Sequence, residues 1–549
     1  MCVSSMISMN RTPQYLRPYS PLVLIAILFP LCIEARCDQS SSTSPTWAKP
    51  EQLQMAAAAS RLSSSARGVS GLILAHALHR ADIDYVVLDK HPVAPAWGIS
   101  ISMYPNGMRI LDQLGLYDVL DTKRAEMYDF HLRGSDGNTY DTYPFLKECS
   151  DSGGYVAITM ERRVFLQTIY DELPDKSKVI EGARVSDIVE DESRVQVVLA
   201  NGTVHEGDIV VGCDGVHSAV RELMWARAHR LSPGLVTVAE KQRMTATYVC
   251  LIGIAPYQEG VGAVSVSSVS YAGFSFLFLT QPDAIYFLVH IKRPGNKTVK
   301  YPNRLRFTDA DVEAEASKYL DCPVSETLVF GDLWRTRTRG QLVALEEGVL
   351  SRWSLGRTVL CGDSAHKVTP NAGFGGNLAI EGAVALANEI YAVVHHRRPD
   401  AKQNQTKKPS DEEIRHAFQK YQEGHMARAK MFYYMSWAWT RMQAYDGWGW
   451  YVAQRWALPY LWGVGTRRIC ELMTYAPKLS YVPFNERSGT SGWKKHEWEL
   501  YPEETAKSQT SSSGRSVISR FTSIIIISAL IYAASVWYRE GGSATALLT

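Results

Sequence analysis

Residues 360–377, LCGDSAHKVTPNAGFGGN, decide how this chain is read. The stretch follows a buried apolar run, RTVL (357–360), turns sharply at Gly362-Asp363, and passes through Gly373, Gly375 and Gly376 into a long helical pattern, NLAIEGAVALANEIYAVV (377–394). An acid at the end of a strand can accept hydrogen bonds from ligand hydroxyls. A glycine-rich helix N-terminus presents unhindered N–H groups and a partial positive charge to an electron-rich ligand edge. A lone glycine-rich turn means little, but this one is the third of three similar units.

The first unit is Ala66-Arg67-Gly68-Val69-Ser70-Gly71, opening a helical pattern (GLILAHALHRADI) whose following strand, DYVVLDK, carries Asp89. Glycines at such a turn let backbone N–H groups approach a pyrophosphate, and an acid some twenty residues on can bind ribose hydroxyls. Gly68 and Gly71 fit the second and third glycines of that pattern, and Asp89 fits the acid. Two departures stand out. Ala66 takes the first glycine's place, and AAAASRLSSS (56–65) does not read as a buried strand. The expectation is a domain without its first strand, through a misassembled N-terminus upstream of about residue 66, and a weakened cofactor site. The second unit is DIVVGCDGVHSAVREL (208–223), a buried strand running into Asp214-Gly215 and a helix.

The rest of the chain sets limits. With 46% apolar and 21% charged residues in 549, it is long enough for several domains around a large core. A formal net charge of +2 without a long basic block argues against nucleic-acid binding. Nine scattered cysteines with no C-x-x-C pair form neither a disulfide framework nor a zinc site, so no metal is expected and a reducing compartment fits the body. Leu22 to Ile33 is apolar but too short to span a bilayer; it reads as a signal-like core or a spurious leader. Phe521 to Tyr538 is uncharged between Arg520 and Arg539 and reads as a tail anchor, with a buried helix as the alternative.

Taken together, GVSGLILAHALHRADIDYVVLDKH, YPNGMRILDQLGLYD, GDIVVGCDGVHSAVRELMW, FGDLW, LCGDSAHKVTPNAGFGGNLAIEGA and APKLSYVPFNERSGT resemble the group A FAD-dependent monooxygenases, in particular the paxilline-type epoxidases of fungal meroterpenoid and indole-diterpene metabolism. The resemblance covers about residues 66–540. It implies an α/β fold: a doubly wound FAD-binding domain (66–240 and 346–400), a β-rich substrate domain (241–345), an aromatic helical region (413–484) and a membrane-anchoring helix (518–538), after a leader and linker (1–65). The implied FAD contacts are Gly68, Gly71, Asp89, Ser102, Arg162, Asp214, Asp363 and Gly376, with Asp214 also implicated toward NADPH.

The implied chemistry is reduction of FAD by NADPH, addition of O2 to form a C4a-hydroperoxide, and transfer of one oxygen atom to an electron-rich carbon. A lipophilic prenylated substrate is expected, epoxidised and then opened by a membrane terpene cyclase coupled to this enzyme. The body would be cytosolic, anchored at the endoplasmic reticulum. Aromatic hydroxylation by the same chemistry is the rival, and a membrane scaffold that has lost FAD the non-enzymatic one. Tyr271, on the β-rich segment, is a candidate hydrogen-bond donor at the reacting oxygen, or a packing residue. His217 and His366 read as turn or core residues. The aromatic block MFYYMSWAWTRMQAYDGWGWYVAQRWALPYLWGV (431–464) could lie at a membrane interface, wall a substrate route, or pack as plain helices.

Overall fold

The computed structural model describes residues 62–65 and 68–494, apart from 96–97, 192–193, 263 and 396–408. The signal-like segment and the expected anchor at 518–538 lie outside the described residues.

The first sheet runs, edge to edge, Ser354–Leu355, Thr358–Leu360, Ile209–Gly212, Leu62–Ser65, Tyr85–Leu88, Val179–Ile180. Its strands pair in parallel, except that Ser354–Leu355 is antiparallel to its neighbour. This corrects the expectation of a missing first strand: Leu62–Ser65 is present at the centre, registered against Tyr85–Leu88 on one side and Ile209–Gly212 on the other. Ladder hydrogen bonds come from the backbone, and a site between two formed strands overrides weak intrinsic propensity. The domain therefore begins before residue 66. The chain leaves this central strand to one side and later returns to the other. That places a topological switch point at its carboxyl end, where open α/β sheets bind ligands.

Helix α1 (Val69–Arg80) starts directly beyond the central strand and is buried from Val69 through Leu78. Helix α2 (Ala219–Leu231) follows Ile209–Gly212, and helix α3 (Phe374–His395) follows the glycine turn. Among the described residues α3 is long and apolar enough to cross a membrane, but it is mostly buried, packed on α1 as a core helix. Glu381, within α3, accepts hydrogen bonds from Asn106 at 2.6 Å and from Nη2 of Arg428 at 2.7 Å, fixing the helix in register with its neighbours.

A second, larger sheet runs His366–Lys367, Arg339–Val349, Thr245–Pro256, Ala284–Lys292, Phe274–Thr280, Ser265–Tyr271, Phe130–Arg133, Thr139–Tyr143. Its last two strands come from within the 66–240 segment and extend the sheet of the 241–345 segment, Phe130–Arg133 pairing in parallel with Ser265–Tyr271. Successive side chains point to opposite faces. The back face carries Phe276, Phe278, Phe287 and Val289, which pack with Phe330, Leu333 and Trp334 into a separate core. The front face carries Val266, Leu277, Leu279 and Leu288, which border a cavity.

That front face is covered by α4 (Asp411–Gln443), α5 (Trp448–Val452), a π-helical turn (Ala453–Ala457) and α6 (Leu458–Met473). Ser410 and Glu413 form a capping box that starts α4. At its other end Gln443 donates to Ser268 Oγ at 3.0 Å, and Gln454 donates to Ser270 Oγ at 2.9 Å. These polar contacts seat the aromatic helices on the sheet.

Candidate active site

The carboxyl ends of four parallel strands meet at one place. Gly68 follows Leu62–Ser65, Asp89 follows Tyr85–Leu88, Cys213-Asp214-Gly215 follow Ile209–Gly212, and Asp363 lies just past Thr358–Leu360. All of them line a single cavity of about 770 Å³. Ser102, Arg162 and Gly376 line it as well. Of the eight residues implied as FAD contacts, Gly71 alone is not on its wall; it is buried in the first turn of α1.

Close backbone approach explains the glycines at two of these turns. Gly362 has φ +67°, and a Cβ there would lie 2.1 Å from Ser70 Oγ, so the turn can rest on α1 only as glycine. At Gly376 a Cβ would come within 2.5 Å of Met103 Cε and 3.0 Å of Ile101 Cδ1, where α3 meets the strand Ser100–Met103. Asn377 holds this junction from inside: its side chain accepts the Tyr104 N–H and donates to the carbonyls of Ser102 and Gly373. Asn377 closes the glycine-rich motif, but its role as the joint between α3 and the strand Ser100–Met103 shows only in the fold.

The polar end of the cavity fits an anionic dinucleotide. Gly68 caps α1 with extended backbone and no side chain caps that helix, which leaves first-turn N–H groups directed at the Gly68–Ser70 wall. Arg162 starts the helix Arg162–Asp171, its own N–H donating to the Ile99 carbonyl at 3.0 Å. Its guanidinium faces the cavity and, among the described residues, donates no hydrogen bond. Burial pulls its pKa down, and the negative charge of Asp363 opposes that shift. A half-buried charged fork on the cavity wall, without a hydrogen-bond partner among the described residues, fits an anionic or carbonyl-rich ligand. Asp363 in turn accepts from Lys367.

Asp214, on the cavity wall, also organises its own turn. Its carboxylate accepts from Ser218 Oγ and from the N–H groups of Ala219 (2.6 Å) and Val220 (3.1 Å), capping α2. Burial raises its pKa, against the pull of these hydrogen bonds. Asp214 and Gly215 both border the cavity. Arg221 ties the turn to the third unit, donating to the carbonyls of Ser364 (2.9 Å) and Val216 (2.6 Å).

Tyr271 does not line the cavity. It lies five residues from Val266 on the same strand and so on the opposite face. There its ring stacks on Phe274 with centroids 4.6 Å apart, and its hydroxyl is directed to the carbonyls of Pro323 (2.7 Å) and Ser135 (2.9 Å). His217 is half exposed against Glu346 at 3.3 Å. His366 is buried beside Trp353 and His425, with a pKa lowered to about 4 by burial.

Away from Arg162 the cavity becomes apolar. Phe130, Leu277 and Leu288 from the sheet face Trp439 and Met442 of α4, and Leu458 and Trp462 of α6. Trp462 stacks on Tyr143 with ring centroids 3.7 Å apart, so one aromatic plane is held rigidly at this wall. Part of the aromatic block thus walls the cavity. The space can hold a long dinucleotide at one end while excluding water from an apolar guest at the other.

A family model described as FAD binding domain matches residues 67–276 and 333–421. The FAD-dependent monooxygenase DEP2 of Fusarium langsethiae is 44% identical over 430 residues, 78% of this chain and 81% of that protein. The FAD-dependent monooxygenase dpchE of Colletotrichum higginsianum is 34% identical over 479 residues, 86% of this chain and 97% of that protein. Among solved structures, Klebsiella pneumoniae HpxO complexed with FAD and uric acid shares the fold, with a TM-score of 0.56 at 20% identity over 76% of this chain and 97% of that one.

Proposed function

Because this chain belongs to the family of FAD-dependent monooxygenases, we propose that it epoxidises the prenyl chain of a meroterpenoid or indole-diterpene intermediate, as a paxilline-type enzyme of fungal secondary metabolism. The overall reaction takes an alkene, O2, NADPH and a proton to an epoxide, water and NADP+. The observation that carries this reading is the continuity of one cavity, from the Gly68, Asp89, Arg162 and Asp363 end to the apolar end between Leu277, Leu288, Trp439 and Trp462.

Bound at the polar end, FAD would supply the redox chemistry that activates oxygen. The chain's own residues have simpler tasks. The α1 N-terminus and Arg162 would offset the negative charge of the cofactor, Asp89 would accept from its ribose, and Asp363 would accept from its ribityl hydroxyls. Gly376 lets the α3 N-terminus approach the ring edge, and Ser102 lies on the strand that Asn377 holds beside it. The apolar wall orients an isoprenoid chain by shape, with no hydrogen bond to an alkene required, and keeps water from the reacting carbon. NADPH would dock from solvent near the Asp214-Gly215 turn. The C-terminal segment 518–538 would anchor the enzyme to the endoplasmic reticulum membrane, body cytosolic, beside the membrane terpene cyclase that consumes its product.

The test is turnover of a farnesylated aromatic with FAD, NADPH and ¹⁸O2, followed by mass spectrometry and NMR of the product. One ¹⁸O bridging an isoprenoid double bond is the expected result. A label on the aromatic ring would replace this reading with aromatic hydroxylation.

A further inference from the structure

The helical segment that closes the apolar end of the cavity has a second face, and that face is bare. From Trp448 through Met473 the chain runs helically without a break in α5, the π turn and α6. Inward, Leu458, Trp462 and Ile469 line the cavity. Outward, Trp448 is 65% exposed, Trp456 49% and Tyr460 72%, joined by Tyr451 and Leu461. Their spacing follows the helical repeat, so they form a stripe rather than scattered single residues. A Cβ added at Gly449 or Gly463, neither of which lines the cavity, would meet nothing within 4 Å, so no other part of the described protein packs there.

The charge pattern on this face is one-sided. Between Asp446 and Glu471 there is no acidic residue, while Arg455, Arg467 and Arg468 are all present and exposed. Arg468 pairs with Glu471 at 2.8 Å, and Arg455 lies over the Tyr140 ring, 4.0 Å from its centroid. Among the described residues neither Arg455 nor Arg467 has a carboxylate partner within 4 Å. Exposed tryptophan and tyrosine interleaved with arginine on one helical face is the composition that settles at the headgroup level of an anionic bilayer. A soluble protein surface would not leave these rings in water without a partner.

We propose that the outer face of α5, the π turn and α6 docks on an anionic lipid bilayer, surrounding an entrance through which a lipophilic substrate passes from the membrane into the cavity. Leu461 marks the entrance: it lines the cavity and directly follows Tyr460 of the exposed stripe in sequence. The π turn directly before α6 breaks the regular helical hydrogen bonding next to that wall, as π turns often do at functional positions. This contact is separate from the C-terminal anchor. It deepens the epoxidase reading only in requiring a substrate that partitions into lipid.

Hydrogen–deuterium exchange on the full-length, FAD-loaded chain tests it, with vesicles of phosphatidylcholine alone or mixed with phosphatidylserine. Amides of residues 447–469 should gain protection with the mixed vesicles, and less with the neutral ones. The triple variant Trp448→Ser, Trp456→Ser, Tyr460→Ser should lose about tenfold in turnover of vesicle-embedded prenylated substrate and keep its turnover of the same substrate dispersed in detergent. Protection confined to residues 515–549 overturns the proposal while leaving the anchor intact. Protection of 447–469 that appears only when another membrane protein is reconstituted overturns it in favour of a protein partner. If the wild-type chain forms no epoxide even in detergent, the epoxidase reading fails, yet the exchange result still decides the docking face.

Discussion

Asn377 accepts the backbone N–H of Tyr104 at 2.8 Å through one end of its amide, and from the other end donates to the Ser102 carbonyl at 3.0 Å. Two segments 273 residues apart are thereby joined at the point where α3 begins. The substitution Asn377→Ala strands a buried N–H and frees the strand Ser100–Met103 from α3. A loss of roughly 1–3 kcal/mol in urea unfolding is expected, with less flavin retained per protein after gel filtration. Full flavin occupancy in that variant would mean the junction does not shape the cofactor site.

Arg162 is held for a ligand, so its removal should separate binding from folding. In Arg162→Leu the apoprotein should be as stable as the wild type or more so, because an unpartnered buried charge has gone. The FAD dissociation constant should rise about ten- to hundredfold, the size of a lost charged hydrogen bond of roughly 1.5–3 kcal/mol. Fluorescence titration with FAD measures it, and an unchanged constant removes Arg162 from the cofactor's contacts.

Acid should weaken the fold well before its carboxylates titrate. Burial lowers the pKa of His76 to about 4, of His366 to about 4 and of His290 to about 3, whereas in the unfolded chain each sits near its ordinary value of about 6.5. Below that value the unfolded chain binds protons that the folded chain refuses. Their stabilising effect is therefore complete above about pH 6.5 and is lost as the pH falls toward 4. Across the full shift His76 and His366 each carry on the order of 3 kcal/mol, and His290 about 5 kcal/mol. Among the described residues neither ring nitrogen of His290 has a hydrogen-bond partner. In His290→Leu thermal melts from pH 7 to 4.5 should show a shallower loss with no penalty at pH 7. A slope as steep as the wild type's would mean His290 is not buried neutral.

Trp462 should matter to the guest and not to the cofactor. Trp462→Ala removes the ring that stacks on Tyr143 at the apolar wall. The flavin spectrum should be unchanged, while KM for a prenylated substrate rises about tenfold or more, given the apolar area such a ring buries. An equal fall in flavin content would show that the two ends of the cavity are not independent.

The cofactor end was legible because its constraints are local. Gly68, Asp89, Asp363 and Gly376 occupy fixed places beside strand-to-helix turns, and the structure gathers them around one cavity. Leu62–Ser65 was illegible for the opposite reason: a central strand between two others is specified by its neighbours' backbones, and a serine-rich run carries no apolar signature. Tyr271 was misplaced because both faces of its strand are buried. Val266 points to the cavity and Val269 to the back core, so alternation alone could not say which side held the site. The aromatic helices posed the same ambiguity. Their pattern announced two surfaces, but not that Trp462 would look inward while Tyr460 faces outward.

The substrate sheet keeps its rigidity and its selectivity on different sides. Phe276, Phe278 and Phe287 lock the strands from behind, together with Phe330 and Trp334, whereas Val266, Leu277, Leu279 and Leu288 border the cavity while belonging to the main core. Volume-conserving exchanges on the front can reshape the cavity while the separate core behind still holds the strands. A lineage built on this arrangement can diversify its chemistry of recognition by small steps, each tolerated by the fold, and specialise on new molecules without first having to evolve a new protein.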